Sequence, residues 1–319
     1  MNLSDFIDWS IDLLRNSQRG DLIFYEYAKT KLDEWTNQLK MVNKSDLRSC
    51  IKDETTTAIG IKSFYNLINH IIGKSLEILR RTYQGDYYES IVLLRKLFYK
   101  QSSMQYKLND RYINYFKFTL VKDVHQKFFR VVDFNKDYTP TNCNHVPFTK
   151  RNLAKHGRFN LYGFPCLYLS ENIHNCCKEV GDVVNKHTRY FSEFTHVKQT
   201  FYLNLTLPNK NTALTVYDKF CFIITYPILF LCLSPTSGDS PFEEEYLFPQ
   251  LLLPSLFLTY KFDHVSHVGI AYNSTKDFRT LNLVIPAKLN ENEVIPNNNI
   301  SEFILSKFNE IGPFLVESN

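Results

Sequence analysis

Along the first hundred residues, apolar positions recur at helical spacing. In MNLSDFIDWSIDLLR, Phe6, Ile7, Ile11 and Leu14 fall on one face, acids occupy the first turn, and Ser4 stands where an N-cap belongs. Gly20 interrupts the run. LIFYEYAKTKLDEWTNQL (22–39), FYNLINHIIGKSLEIL (64–79) and YYESIVLLRKLFYK (87–100) carry the same period. The period then shortens. KQTFYLNLTLP (198–208) alternates as a strand, while PCLYLS (165–170), HVGIAYNS (267–274) and LNLVIP (281–286) are short apolar runs closed by turn residues. ENIHNCCKEV (171–180) reads as a helix following a strand, with Ser170 or Asn172 as its N-cap. The pattern predicts an α+β protein: an all-helical N-terminal domain over residues 1–118, then a mixed α+β domain over 119–319.

Composition sharpens the boundary. All 12 prolines fall at or after Pro140, which places the change of structure near residues 112–122. With 319 residues and 44% hydrophobic content, each part is large enough to bury a core. Charge is less informative. Residues 1–120 hold 18 Lys and Arg against 14 Asp and Glu, and the remainder holds 19 of each. That excess is too mild for a nucleic-acid-binding face. The seven cysteines are odd in number and lack a CxxC pair, a pattern that fits a reduced, cytoplasmic protein. Acids near the N-terminus argue against a secretion signal. The apolar run CFIITYPILFLCL (221–233) covers about half a membrane span and contains Pro227, so it reads as buried core and no membrane partner is expected.

One stretch concentrates chemistry: GRFNLYGFPCLYLSENIHNCCKEV, from Gly157 to Val180. Its order of Gly157-Arg158-Phe159-Asn160, Gly163, Pro165, Leu167-Tyr168-Leu169 and Glu179-Val180 resembles the RES domain family. KFFRVV (127–132) resembles the family's opening strand and supplies Arg130. EYLFPQLL (245–252) resembles its Tyr-x-x-Pro-Gln segment, with Tyr246 and Gln250. GIAYNS (269–274) resembles the strand bearing its serine, here Ser274, with Ser255 as the rival. The resemblance covers roughly residues 125–290. His156 and the Cys176-Cys177-Lys178 run depart from the family pattern.

The resemblance implies an ADP-ribosyltransferase-like fold in the second domain and an enzyme that consumes NAD as substrate, with no cofactor and no metal. It implies a toxin acting in a toxin–antitoxin or anti-phage setting, with an antitoxin or inhibitor as partner. Catalytic roles would fall to Glu179, Arg130 and Ser274, and substrate contacts to Arg158, Tyr168, Asn160, Tyr246 and Gln250. The helical domain would regulate or assemble, for example as a homo-oligomer.

The residue types suit that chemistry. Breaking the nicotinamide–ribose bond builds positive charge on the ribose, which a fixed carboxylate such as Glu179 stabilises. Arginine's planar fork fits a pyrophosphate. An unpaired cation in an apolar strand is costly, so Arg130 calls for an anionic partner, either a ligand or an internal acid such as Glu179. Tyr168 offers a face for stacking on the nicotinamide, or is simply core. On residues alone, Glu179 is equally a helix-surface acid. Two other readings of the whole chain stand beside NAD cleavage. One is an ADP-ribosyltransferase modifying a protein or nucleic acid. The other is a non-catalytic module binding RNA or a partner through residues 74–117, where nine basic residues face four acids. Cys143, His145 and His156 lack the second pair a zinc site requires. Glu243–Glu245 reads as a solvated loop.

Overall fold

The computed structural model describes residues 1–16, 19–52, 61–102, 105–108, 118–121, 125–183, 187–208, 213–236, 243–256, 267–288 and 300–316. In chain order the elements begin with α1 (Leu3–Arg15), α2 (Phe24–Lys40), α3 (Lys44–Lys52), α4 (Ile61–Tyr83) and α5 (Tyr87–Phe98). Next come β1 (Tyr99–Ser102), β2 (Gln105–Leu108), β3 (Phe118–Val121), β4 (Lys127–Asn135) and β5 (Cys166–Ser170). They are followed by α6 (Ile173–Val180), β6 (His187–His196), β7 (Thr200–Leu205), α7 (Val216–Leu233) and α8 (Leu252–Leu256). The chain ends with β8 (His267–Asn273), β9 (Leu281–Pro286), α9 (Glu302–Leu305) and β10 (Phe308–Leu315).

Two compact units form. One comprises Met1–Lys117 with Leu205–Leu256, the other Phe118–Asn204 with Phe257–Asn319. The class is α+β. The expected division into two continuous domains needs correcting, because residues 205–256 join the helical unit. The cause is α7, which is apolar around its whole circumference and has to be surrounded. Within its unit it packs against α1, α2, α3 and α4. Among the described residues it is the one helix long and apolar enough to cross a membrane, and most of it is buried in that unit. A Thr215–Asp218 capping box starts it. The Tyr226 hydroxyl donates to the Ser10 carbonyl at 2.9 Å, and the Tyr226 ring stacks on Trp35 with centroids 4.7 Å apart.

Two local expectations change in this unit. The cap of α1 is Asn2, whose Oδ1 accepts from Asp5 N at 2.9 Å. Ser4 therefore lies inside the first turn and accepts from Lys219 Nζ. The Glu243–Glu245 run is not a solvated loop. Glu244 Oε2 accepts from Arg19 Nη1, from Phe24 N at 2.7 Å and from the Tyr83 hydroxyl at 2.8 Å. Glu245 is buried, with Oε1 3.3 Å from Arg19 Nε. Neither Glu245 oxygen has a hydrogen-bond partner among the described residues, so the Arg19 cation is what offsets the burial of its charge. Bonding to Glu244 adds to burial in raising the Tyr83 pKa far above the ordinary phenol value.

The second unit is built on an eight-stranded sheet ordered β10-β6-β4-β5-β9-β8-β7-β3. The pairs β10/β6, β6/β4, β4/β5, β5/β9, β9/β8 and β7/β3 are antiparallel. β4 and β6 pair from Lys127↔Thr195 to Asn135↔His187, whereas β4 and β5 share only Phe129↔Ser170. The sheet therefore opens between β4 and β5. One face carries the core, with Phe128, Leu167, Leu169, Phe194, Tyr202, Leu283 and Ile285. Strand alternation puts Phe129, Tyr168, Ser170 and Asn282 on the other face, where α6 packs against β4 and β5.

Candidate functional site

The polar group on the α6 face assembles from three elements. α6 starts at Asn172, whose Oδ1 accepts from His174 N at 2.8 Å, and it carries Asn175 and Glu179 one turn apart. β8 ends just before Ser274, where the chain turns into β9. That turn is closed by Ser274 N donating to the Thr280 carbonyl at 3.0 Å and Thr280 N to the Asp277 carbonyl at 2.9 Å. Three donors inside the turn hold the Asp277 carboxyl below its usual range, the Arg279 backbone N–H most of all. β9 contributes Asn282.

Ser274 is the hub, and it is fully buried. Its Oγ accepts from Lys276 N at 3.1 Å and Asp277 N at 3.2 Å. A hydroxyl has two acceptor lone pairs and one proton, so the proton is all it has left to give. The carboxylate Glu179 Oε1 lies 2.6 Å away and the amide oxygen Asn175 Oδ1 3.2 Å away. The shorter, charge-assisted contact takes the proton. Asn282 Nδ2 reaches the same Glu179 oxygen at 3.4 Å. Asn175 Nδ2 lies 3.4 Å from both Ser170 Oγ and Asn282 Oδ1, which ties the three elements together. Glu179 is exposed, its Oε1 is fixed, and its Oε2 makes no bond among the described residues. Ser274 thus holds one oxygen of the Glu179 carboxylate through its own proton.

The loop before β5 lies beside this group. Arg158 is buried, and its Nη2 donates to Thr275 Oγ1 at 3.4 Å, next in sequence to Ser274. Asn160 Nδ2 contacts the carbonyls of Lys155, Leu161 and Phe164 at 3.0–3.1 Å, and its Oδ1 accepts from the Tyr168 hydroxyl at 2.7 Å. That hydroxyl accepts from Phe159 N at 3.2 Å. Asn160 and the Tyr168 hydroxyl thus pin the loop, and the Tyr168 side chain is half-buried. Gly157 permits the arrangement, because a Cβ there would sit 2.6 Å from Asn160 Oδ1 and 2.9 Å from the Tyr168 hydroxyl.

Arg130 stands apart. Alternation places its side chain on the core face with Phe128. Its Nη1 reaches the Tyr168 carbonyl at 3.5 Å across the opening between β4 and β5, and its buried Nε has no partner among the described residues. Burial lowers its pKa from the arginine value, opposed by Cys143 and Glu310 nearby. Glu310 itself accepts from Cys143 N and Asn144 Nδ2. No contact joins Arg130 to Glu179 or Ser274 among the described residues.

Glu179, Ser274, Arg158, Tyr168 and Asn160 therefore come together in the second unit. Tyr246, Gln250 and the rival Ser255 fall in the first unit. Sequence reasoning passed over Asn175, Thr275 and Asn282. Two of them left a trace: Asn175 sits four residues before Glu179 on the same helix face, and Asn282 interrupts an otherwise apolar strand.

The unit is thus an α+β sheet with an oriented carboxylate at the end of a short helix. No protein-family model matches the chain. A Bacillus subtilis (strain 168) protein named "Putative toxin YopC" is 29% identical over 186 residues, covering 53% of this chain and 40% of that protein. The match spans less than half of that relative's length.

Proposed function

We propose that the chain is a toxin of RES-domain type that cleaves NAD at the nicotinamide–ribose bond. The observation that carries this reading is the Glu179 carboxylate, fixed through Oε1 by Ser274 and Asn282, with no bond to Oε2 among the described residues. A preoriented carboxylate stabilises the oxocarbenium-like ribose without reorganising at the moment of reaction. The C1′–N bond breaks and its electron pair passes to the nicotinamide ring, which leaves neutral. Water attacks C1′ and loses a proton, giving ADP-ribose; phosphate as acceptor gives the 1-phosphate. Arg158 would meet the pyrophosphate, Tyr168 would stack on the nicotinamide, and Arg130 would brace the pocket floor behind the Tyr168 carbonyl. The name of the Bacillus subtilis relative supports the toxin reading.

Transfer of ADP-ribose to a protein or nucleic acid is the second reading. The exposure of Glu179 favours it, since a large acceptor can approach. A toxin that depletes NAD acts in the cytoplasm and needs an inhibitor, and the helical unit or an antitoxin would supply that control. The test is incubation of the purified chain with NAD and mass analysis of the products. Free nicotinamide with ADP-ribose supports hydrolysis, and ADP-ribose bound to a macromolecule supports transfer. Intact NAD refutes both.

A further inference from the structure

The helix that carries Glu179 is only eight residues long, and Glu179 lies in its last turn. Short helices fray at their ends, and the last carbonyls lack partners inside the helix. The Ser274 bond holds the carboxylate but does nothing for the backbone beneath it. Another group does that. Arg189 on β6 stands opposite Asp133 on β4 in the antiparallel register. Its Nε and Nη2 bind the two Asp133 oxygens at 2.7 and 2.8 Å, a two-pronged contact between half-buried partners. The same Nη2 donates to the Gly181 carbonyl at 2.8 Å.

Gly181 is the C-cap of α6, with φ of +82°, and its N–H closes the helix on the Cys177 carbonyl at 3.0 Å. Such a φ suits glycine alone. Thus the guanidinium, anchored on the sheet, grips the helix terminus two residues beyond Glu179. We infer that Arg189, locked by Asp133, is a positioning residue that sets the height and angle at which α6 presents Glu179. It rests on the proposed reaction for its catalytic consequence and on geometry alone for the clamp. Ser274 and Asn282 approach Glu179 from the β8–β9 side, and Arg189 approaches its helix from the β4–β6 side. The two sides flank the opening between β4 and β5.

Three variants of the full chain test it: Arg189→Lys, Arg189→Gln and the double exchange Asp133→Arg/Arg189→Asp. Lysine keeps the charge but loses the fork. The exchange restores an ion pair between the strands but removes from position 189 the donor to the Gly181 carbonyl. A misplacement of about 1 Å costs roughly 100-fold in turnover. Arg189→Lys and Arg189→Gln are expected to lower kcat by about 10–100-fold while KM for NAD stays within about twofold. The exchange is expected to recover the melting temperature but not kcat. Amide hydrogen exchange over residues 177–181 should quicken in all three. Restored kcat in the exchange variant would show that only strand pairing matters and would overturn the inference, as would wild-type kcat in a folded Arg189→Gln protein. If the wild-type chain leaves NAD intact, the proposed reaction fails and hydrogen exchange decides the clamp alone. Unchanged exchange at 177–181 in Arg189→Lys then overturns it, and quickened exchange sustains it.

Discussion

Replacing Ser274 with alanine removes one oxygen, its 3.2 Å contact with Asn175 Oδ1 and three further interactions. The carboxylate loses the 2.6 Å bond that fixes Glu179 Oε1, keeping only the 3.4 Å contact from Asn282. Lys276 N and Asp277 N lose their shared acceptor. A hydrogen bond to a charged group contributes about 1.5–3 kcal/mol, so an unfixed Glu179 should slow NAD cleavage by roughly 10–100-fold. Leaving two turn N–H groups without that acceptor should cost about 1–3 kcal/mol of stability in addition. The two effects separate experimentally. Turnover is read from nicotinamide release at saturating NAD, and stability from urea unfolding. In a Glu179→Gln background Ser274→Ala should still lower stability but should change residual turnover by less than about twofold, because the charged partner is gone. If Ser274→Ala alone keeps turnover within about twofold of wild type while folded, the hydroxyl does not orient the carboxylate and the account of the hub is wrong.

Arg158→Lys should raise KM for NAD by about 10-fold with little change in kcat, since it keeps charge but loses the fork; unchanged KM would remove Arg158 from the pyrophosphate. Gly269→Ala would set a Cβ 2.0 Å from the Val284 carbonyl oxygen, pushing β8 from β9, and should lower stability by about 1–3 kcal/mol in urea unfolding. His145 and His196 are buried and neutral, with burial pulling both pKa values from 6.5 to about 4. The unfolded chain takes up these protons first, so stability should fall as pH drops through the window from 6.5 to about 4, by on the order of 3 kcal/mol per histidine. A urea midpoint that stays flat across that window would contradict the assignment.

The helices and the strand at 198–208 were legible from apolar residues at the right period, and the strands at 165–170, 267–274 and 281–286 from short apolar runs closed by turn residues. Harder to see were β6 and β10. In HTRYFSEFTH the polar and aromatic residues alternate without a clean apolar face, because Arg189 and Glu193 on one side pair with Asp133 and Lys127. Nor was the return of residues 205–256 to the helical unit legible. Local pattern marks α7 as buried, but it does not say which helices bury it. A fragment cut at the expected domain boundary would keep α7 while losing α1–α4 that cover it, so insolubility is its expected outcome. In the site, the motif order pointed to Glu179 and Ser274. The amides that support them were hidden, since contacts between Asn175 and Asn282 span 107 residues.

The central claim is that the Glu179 carboxylate drives NAD cleavage. Its most direct test is the rate of nicotinamide release from NAD by the purified full chain, compared between wild type and Glu179→Gln, with both shown to be folded. The amide keeps the size and the hydrogen bonding and removes the charge. The account predicts release by wild type and a loss of about 100–1000-fold in the variant. Equal release by the two proteins, or intact NAD with both, would contradict it.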